Sequence, residues 1–178
     1  MVIRMPAIPS TLTRSEGINT QQYTAARSRQ AAQRIRRFIS ETPLIESPAF
    51  SQEFGASVYF KMENRQVTGS FKLRGAMNRL LTLTDEQRSR GCVAASSGNH
   101  GAAVACAMQS VGVRGVIFVP EHTSTVKVNA IKAYGGEVVF FGSDGLDTEQ
   151  HARAFAEQKG MVYLPVSYTH LRAHETTS

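Results

Sequence analysis

Apolar residues recur at helical spacing in the first third of this 178-residue chain and in short strand-like runs after it. From Thr24 to Ser40 the positions Ala31, Ala32, Ile35, Phe38 and Ile39 predict one helix. Thr42-Pro43 stops it, because the residue before a proline is pushed out of the α region. Ser47-Pro48 opens a short helix over about 49–54, and Gly55 ends it. Ser57 to Met62 is a strand by residue type, and 63–69 is a loop. Ser70 is placed to cap a helix running to about Leu83, with Leu73, Ala76, Met77, Leu80 and Leu81 on its buried side. Thr84-Asp85-Glu86-Gln87 caps the next short helix.

The pattern then becomes regular. Apolar runs at 92–95, 115–119, 137–141 and 161–164 alternate with helical segments at about 99–111, 124–134 and 146–159. Such alternation predicts βαβ units and an α/β fold, with a parallel sheet carrying helices on both faces. Residues 1–20 read as a flexible leader, since Pro6 and Pro9 oppose the amphipathic helix of a transit peptide. Val166 to Ser178 has no apolar periodicity and reads as a disordered tail.

Composition narrows the class. With 42% hydrophobic and 19% charged residues, the chain can build one or two small soluble domains with a real core. No apolar run approaches the ~20 residues that span a bilayer. Cys92 and Cys106 sit in apolar stretches, which fits buried free thiols in a reducing cytoplasm rather than a disulfide scaffold. The net charge is +6, and it gathers at Arg27, Arg29, Arg34, Arg36 and Arg37 on one predicted helix. With few aromatics interleaved and no nucleic-acid motif, this reads as a solvated helix face, and anionic small substrates suit the same charge. His170 and His174 are spaced for one helix face but lack a third ligand, so no metal site is assigned.

Two segments carry candidate chemistry. In Thr68-Gly69-Ser70-Phe71-Lys72-Leu73-Arg74-Gly75, Lys72 stands in the first helical turn, behind Phe71 and near Arg74. A lysine attacks an aldehyde only as the free amine, and partial burial, a helix N-terminus and nearby cations favour that form. An ordinary surface lysine would show the same local features. In Ser96-Ser97-Gly98-Asn99-His100-Gly101, a small-residue loop follows a strand and opens a helix. Gly98 permits close approach of a ligand, and the amides at a helix N-terminus favour anions. Alone, this loop reads equally as a capped helix start. Together, a reactive amine and an anion cradle are what a phosphate-bearing aldehyde, pyridoxal phosphate, requires.

The two segments also resemble the serine/threonine dehydratase group of fold-type II (tryptophan synthase β-like) pyridoxal-phosphate enzymes, which includes serine racemase. Supporting matches are Thr42-Pro43-Leu44, Lys61-Met62-Glu63-Asn64, Val119-Pro120, Lys127 and Tyr134-Gly135-Gly136. The resemblance implies that Lys72 holds the cofactor covalently with Phe71 packed beside it, and that Asn99 bonds the cofactor's ring hydroxyl. It implies that Ser96, Ser97, Gly98, Asn99 and His100 form the substrate-carboxylate loop. Ser97 matches the acid/base of racemase members. The implied reaction is β-elimination from L-serine, L-threonine or a similar hydroxyamino acid, in an enzyme that is a homo-oligomer at full length. Racemisation, or β-replacement by a synthase of the same fold, shares the first proton abstraction; a non-catalytic binding fragment is the reading of another class. By resemblance, 21–84 is the N-terminal part of the larger domain and 85–165 the small βα domain. The family's phosphate-binding glycine loop and pyridine-nitrogen contact lie beyond the matched region, so the expectation is an N-terminal part with a truncated or foreign end after about residue 165.

Overall fold

The computed structural model describes residues 20–166, and the leader and tail expectations lie outside the described residues. Helix α1 spans Thr20–Ile35 and continues as a 3-10 turn over Arg36–Phe38. It therefore starts earlier and loosens sooner than the periodicity predicts. Ile35 enters the core, while the arginine-bearing face is exposed. Strand β1 (Leu44–Glu46), which the sequence pattern did not predict, pairs antiparallel with β2 (Tyr59–Lys61). Between them, α2 (Pro48–Phe54) has proline in its first turn and ends at Gly55, whose φ of 57° suits glycine.

Helix α3 spans Lys72–Leu81. Ser70 does not cap it. Phe71 occupies the cap position without a side-chain bond, and the Ser70 hydroxyl is turned inward and buried without a partner. Leu73, Ala76, Met77 and Leu80 are buried along one stripe, as the spacing requires. Helix α4 (Asp85–Arg90) opens with the expected capping box, Thr84 and Gln87 bonding each other's backbone N–H.

The remaining chain forms β3 (Cys92–Ala95), α5 (Asn99–Val111), β4 (Gly115–Val119), α6 (Thr125–Lys132), β5 (Glu137–Phe140), α7 (Gly145–Gln158) and β6 (Val162–Tyr163). The four strands form one parallel sheet in the order β5-β4-β3-β6. Period-two alternation gives the sheet two apolar faces. Cys92, Ala94, Ile117 and Val119 join the core with α3, α5 and Ile131 of α6. Val93, Ala95 and Phe118 face Ala152 and Ala156 of α7. The free thiols of Cys92 and Cys106 are buried, and burial pushes that of Cys92 up to about 11. Among the described residues no helix is long and apolar enough to cross a membrane.

A polar network ties the N-terminal segment to α3. Arg74 donates from Nε to Glu63 Oε2 at 2.8 Å and from Nη2 to Glu63 Oε1 at 2.7 Å. Thr42, itself 3% exposed, donates to Glu63 Oε1 at 2.5 Å, and Lys61 Nζ donates to the Thr42 carbonyl at 2.5 Å. The buried Gln66 amide pairs with both backbone groups of Ser40, at 2.8 and 2.9 Å. Tyr134 Oη donates to the Val67 carbonyl at 2.7 Å, tying the same loop to the end of α6.

Two outcomes follow from this packing. A Cβ at Gly101 would stand 2.2 Å from the Ser96 carbonyl oxygen, whereas one at Gly98 would meet nothing within 4 Å. Gly101→Ala should cost about 1–3 kcal/mol in urea unfolding, and Gly98→Ala well under that. Equal stability of the two variants would show that α5 does not abut the loop in this way. Secondly, the Arg74 hydrogen bonds, opposed by burial, hold the Glu63 carboxyl below its usual range. A depressed folded-state value stabilises above the ordinary carboxylate range, and that stability drains as pH falls through the lower folded value. The stability advantage of the wild type over Glu63→Gln should be full at neutral pH and shrink in acid. An advantage independent of pH would exclude an ionised Glu63.

Candidate active site

Strand β3 is the hinge of the sheet's topology. The chain leaves it for β4 on one side, moves outward to β5, and then returns to place β6 on the other side. Helices α5 and α6 pack on one face of the sheet and α7, which leads into β6, on the other, and in open α/β sheets ligands bind at the carboxyl ends of the strands beside such a change of side. The loop after β3 is Ser96-Ser97-Gly98, and the segment after β6 is Leu164-Pro165-Val166.

Both sequence segments converge on that second strand exit. Lys72 Nζ donates to the Val166 carbonyl at 3.4 Å. The His100 ring, 3% exposed, donates from Nε2 to the Leu164 carbonyl at 3.3 Å. Burial depresses the His100 pKa, the Leu164 bond partly opposes this, and the nearby Lys72 charge adds to the depression. The imidazole is thus a neutral core group beside the amine. Its ring is committed to the strand exit, so what His100 offers the loop is its backbone N–H.

Lys72 is the first residue of α3 and is half-buried. Its ammonium lies 5.1 Å from the centroid of the Phe71 ring, which is largely exposed. Leu73, fully buried, sets the rotation that places Lys72 on one side of the stripe and Arg74 on the other. Arg74 does not serve as the cation beside Lys72 that the sequence suggests. Its guanidinium is engaged by Glu63 and Thr42.

The loop itself turns through a bond from the Gly98 N–H to Ser96 Oγ at 3.3 Å, while the Ser96 N–H donates to the Phe118 carbonyl at 3.1 Å. Ser96 and Ser97 are half-buried; Gly98 and Asn99 are exposed. Asn99 begins α5, and the first N–H groups of a helix lack intrahelical acceptors. The space over Gly98 is open, so nothing obstructs a ligand's approach to its backbone.

Two hydroxyls beside Lys72 were not singled out from the sequence as site residues. Thr68 Oγ1 and Ser70 Oγ, just ahead of Lys72, are buried with no partner. An unpaired buried hydroxyl costs about 1–3 kcal/mol, which an oxygen-rich ligand would relieve. The Thr-Gly-Ser run was the available signal. The amine, the two orphan hydroxyls and the unobstructed backbone at Gly98 fit an oxygen-rich aldehyde such as pyridoxal phosphate. A separate recess of about 730 Å³ is lined by Gln33, Arg34, Arg36, Arg37 and Leu81, none of them in either motif.

Comparison with known proteins identifies the family. Residues 35–178 match the family described as pyridoxal-phosphate dependent enzyme. The serine racemase of Schizosaccharomyces pombe is 37% identical over 149 residues, which cover 83% of this chain and 46% of that protein. The L-threo-3-hydroxyaspartate ammonia-lyase of a Pseudomonas species is 43% identical over 141 residues, covering 79% and 44%. The processed form of threonine deaminase isoform 2 from Solanum lycopersicum superposes with a TM-score of 0.76 at 31% identity, covering 92% of this chain and 48% of that one. The chain thus spans less than half the length of these relatives. With the match running through both motifs and the parallel sheet that brings them together, the chain belongs to the fold-type II family of pyridoxal-phosphate-dependent enzymes.

Proposed function

We propose that this chain carries the lysine and the substrate loop of a β-eliminating ammonia-lyase acting on L-serine, L-threonine or a similar hydroxyamino acid. The observation that carries the reading is the convergence of Lys72 and the Ser96–His100 segment on the exit of β6.

Pyridoxal phosphate, when bound, supplies an aldehyde for an amine and a ring that withdraws electrons from the substrate's α-carbon. Lys72 Nζ is the residue that would hold the aldehyde carbon. With the substrate's own amino group in that place, Lys72 Nζ would be the base for the α-proton. Ser96 and Ser97, with the first backbone N–H groups of α5, would hold the substrate carboxylate. Asn99, whose side chain is exposed at the start of α5, would orient the cofactor's ring hydroxyl. The exposed Phe71 ring would shield one side of the amine from water. The β-hydroxyl would leave as water on taking up a proton, which the Lys72 ammonium formed in the first step could return, and hydrolysis would give a 2-oxo acid and ammonia.

Racemisation is the second reading, supported by the serine racemase relative; by resemblance, Ser97 would be its second acid/base. The test is product analysis with L-serine and L-threonine, on this chain and on a fusion supplying the sequence its relatives carry outside the matched span. Elimination predicts pyruvate and 2-oxobutyrate, reduced at least about 10²-fold by Lys72→Ala. D-serine as the main product, lost in Ser97→Ala, would favour the racemase. A fusion that binds the cofactor but yields neither product would refute both readings.

A further inference from the structure

We infer that Arg74 and Glu63 form the positioning pair that holds the reactive lysine in register, an inference that rests on the reading of Lys72 as the cofactor-bearing residue. Helix α3 has no cap to hold its first turn. Lys72 is its first residue, and first turns fray unless their free N–H groups are capped. Phe71 provides no side-chain cap, and the Ser70 hydroxyl bonds nothing. The buried stripe from Leu73 to Leu80 fixes the rotation of the helix, but its first anchor lies one residue beyond Lys72.

Arg74 supplies the missing restraint from the third helical position. Its planar fork grips both carboxylate oxygens of Glu63, a geometry that a lysine ammonium cannot reproduce. Glu63 is held in turn by Thr42, and its 3-10 turn (Glu63–Arg65) is separated from β2 by Met62 alone. The Glu63 and Arg74 side chains are 17% and 32% exposed, so the pair is partly shielded from competing water. Downstream of Glu63, Gln66 and Tyr134 fix the loop at Ser40 and Val67. The loop and first turn are thereby one braced unit, with Lys72 two residues from its strongest tie. Arg74 and Glu63 touch neither substrate nor cofactor; they act through Lys72.

The test is the rate at which borohydride traps pyridoxal phosphate on Lys72, with exposed Lys132 in the same molecule as the internal reference. Rates are read by peptide mass mapping of the full chain, and circular dichroism confirms that each compared variant is folded. Arg74→Lys keeps the charge and removes the fork; Glu63→Gln keeps the shape and removes the ion pair. Each should slow trapping at Lys72 at least about tenfold, within the ~10²-fold loss that a 1 Å misplacement produces. The Lys132 rate should not change. The double variant Glu63→Arg/Arg74→Glu should recover part of the Lys72 rate, which a general loss of stability would not do. Folded single variants that trap Lys72 at the wild-type rate would overturn the positioning role and leave the proposed function standing. A wild-type chain that traps Lys72 no faster than Lys132 would overturn the proposed function, and this inference with it.

Discussion

Everything chemical in this molecule depends on the place where strand order reverses, between β3 and β6. A parallel sheet must send each strand into a crossover, and here the crossover from β5 returns past β4 and β3 to add β6 on the far side. The exits of β3 and β6 lie side by side there, and the carbonyls of Leu164 and Val166 accept from His100 and Lys72. The reversal can be this tight because the start of α5 lies against the loop: Gly101, without a Cβ, touches the Ser96 carbonyl. His100 closes the arrangement from within by bonding the Leu164 carbonyl. A charged imidazole there would be a buried cation next to Lys72, and burial keeps it neutral.

The division of labour among the charged residues differs from what their spacing suggests. Arg74 looks like a cation that would press on Lys72, but its charge is spent on Glu63 across a partly shielded, two-pronged contact. What Arg74 contributes is geometry. The pair also explains why segments far apart in sequence belong to one motif set: Thr42, Lys61, Glu63 and Arg74 are successive links of one network. The orphan hydroxyls of Thr68 and Ser70 are the complement to that order. They are buried polar groups left without partners, two and four residues ahead of Lys72.

Much of this was legible in the sequence. The run from Cys92 to Tyr163 declared itself because each strand is an apolar burst and each helix an amphipathic stretch, so local pattern and tertiary burial agree. The capping box at Thr84 and the stop at Gly55 were readable for the same reason. Strand β1 was not, since three residues with every side chain exposed carry no alternation. Ser70 was misread as a cap because its inward burial is a tertiary fact that capping propensity cannot register. The site was legible as two motifs through their resemblance, whereas the strand exit that joins them, Leu164 to Val166, has no signature: it contributes carbonyl oxygens. The engagement of Arg74 by Glu63 was invisible for the same kind of reason, being eleven residues apart in sequence.

The account stands on Lys72 as the residue that takes the cofactor's aldehyde. The most direct measurement is to add pyridoxal phosphate to the chain, record the visible absorbance, reduce with borohydride and locate the added mass by peptide mapping. The account predicts a visible band that reduction abolishes, with the cofactor's mass on the peptide holding Lys72 and no such band in Lys72→Ala. A band of equal strength in Lys72→Ala, with the mass spread over Lys61, Lys127, Lys132 and Lys159, would contradict it.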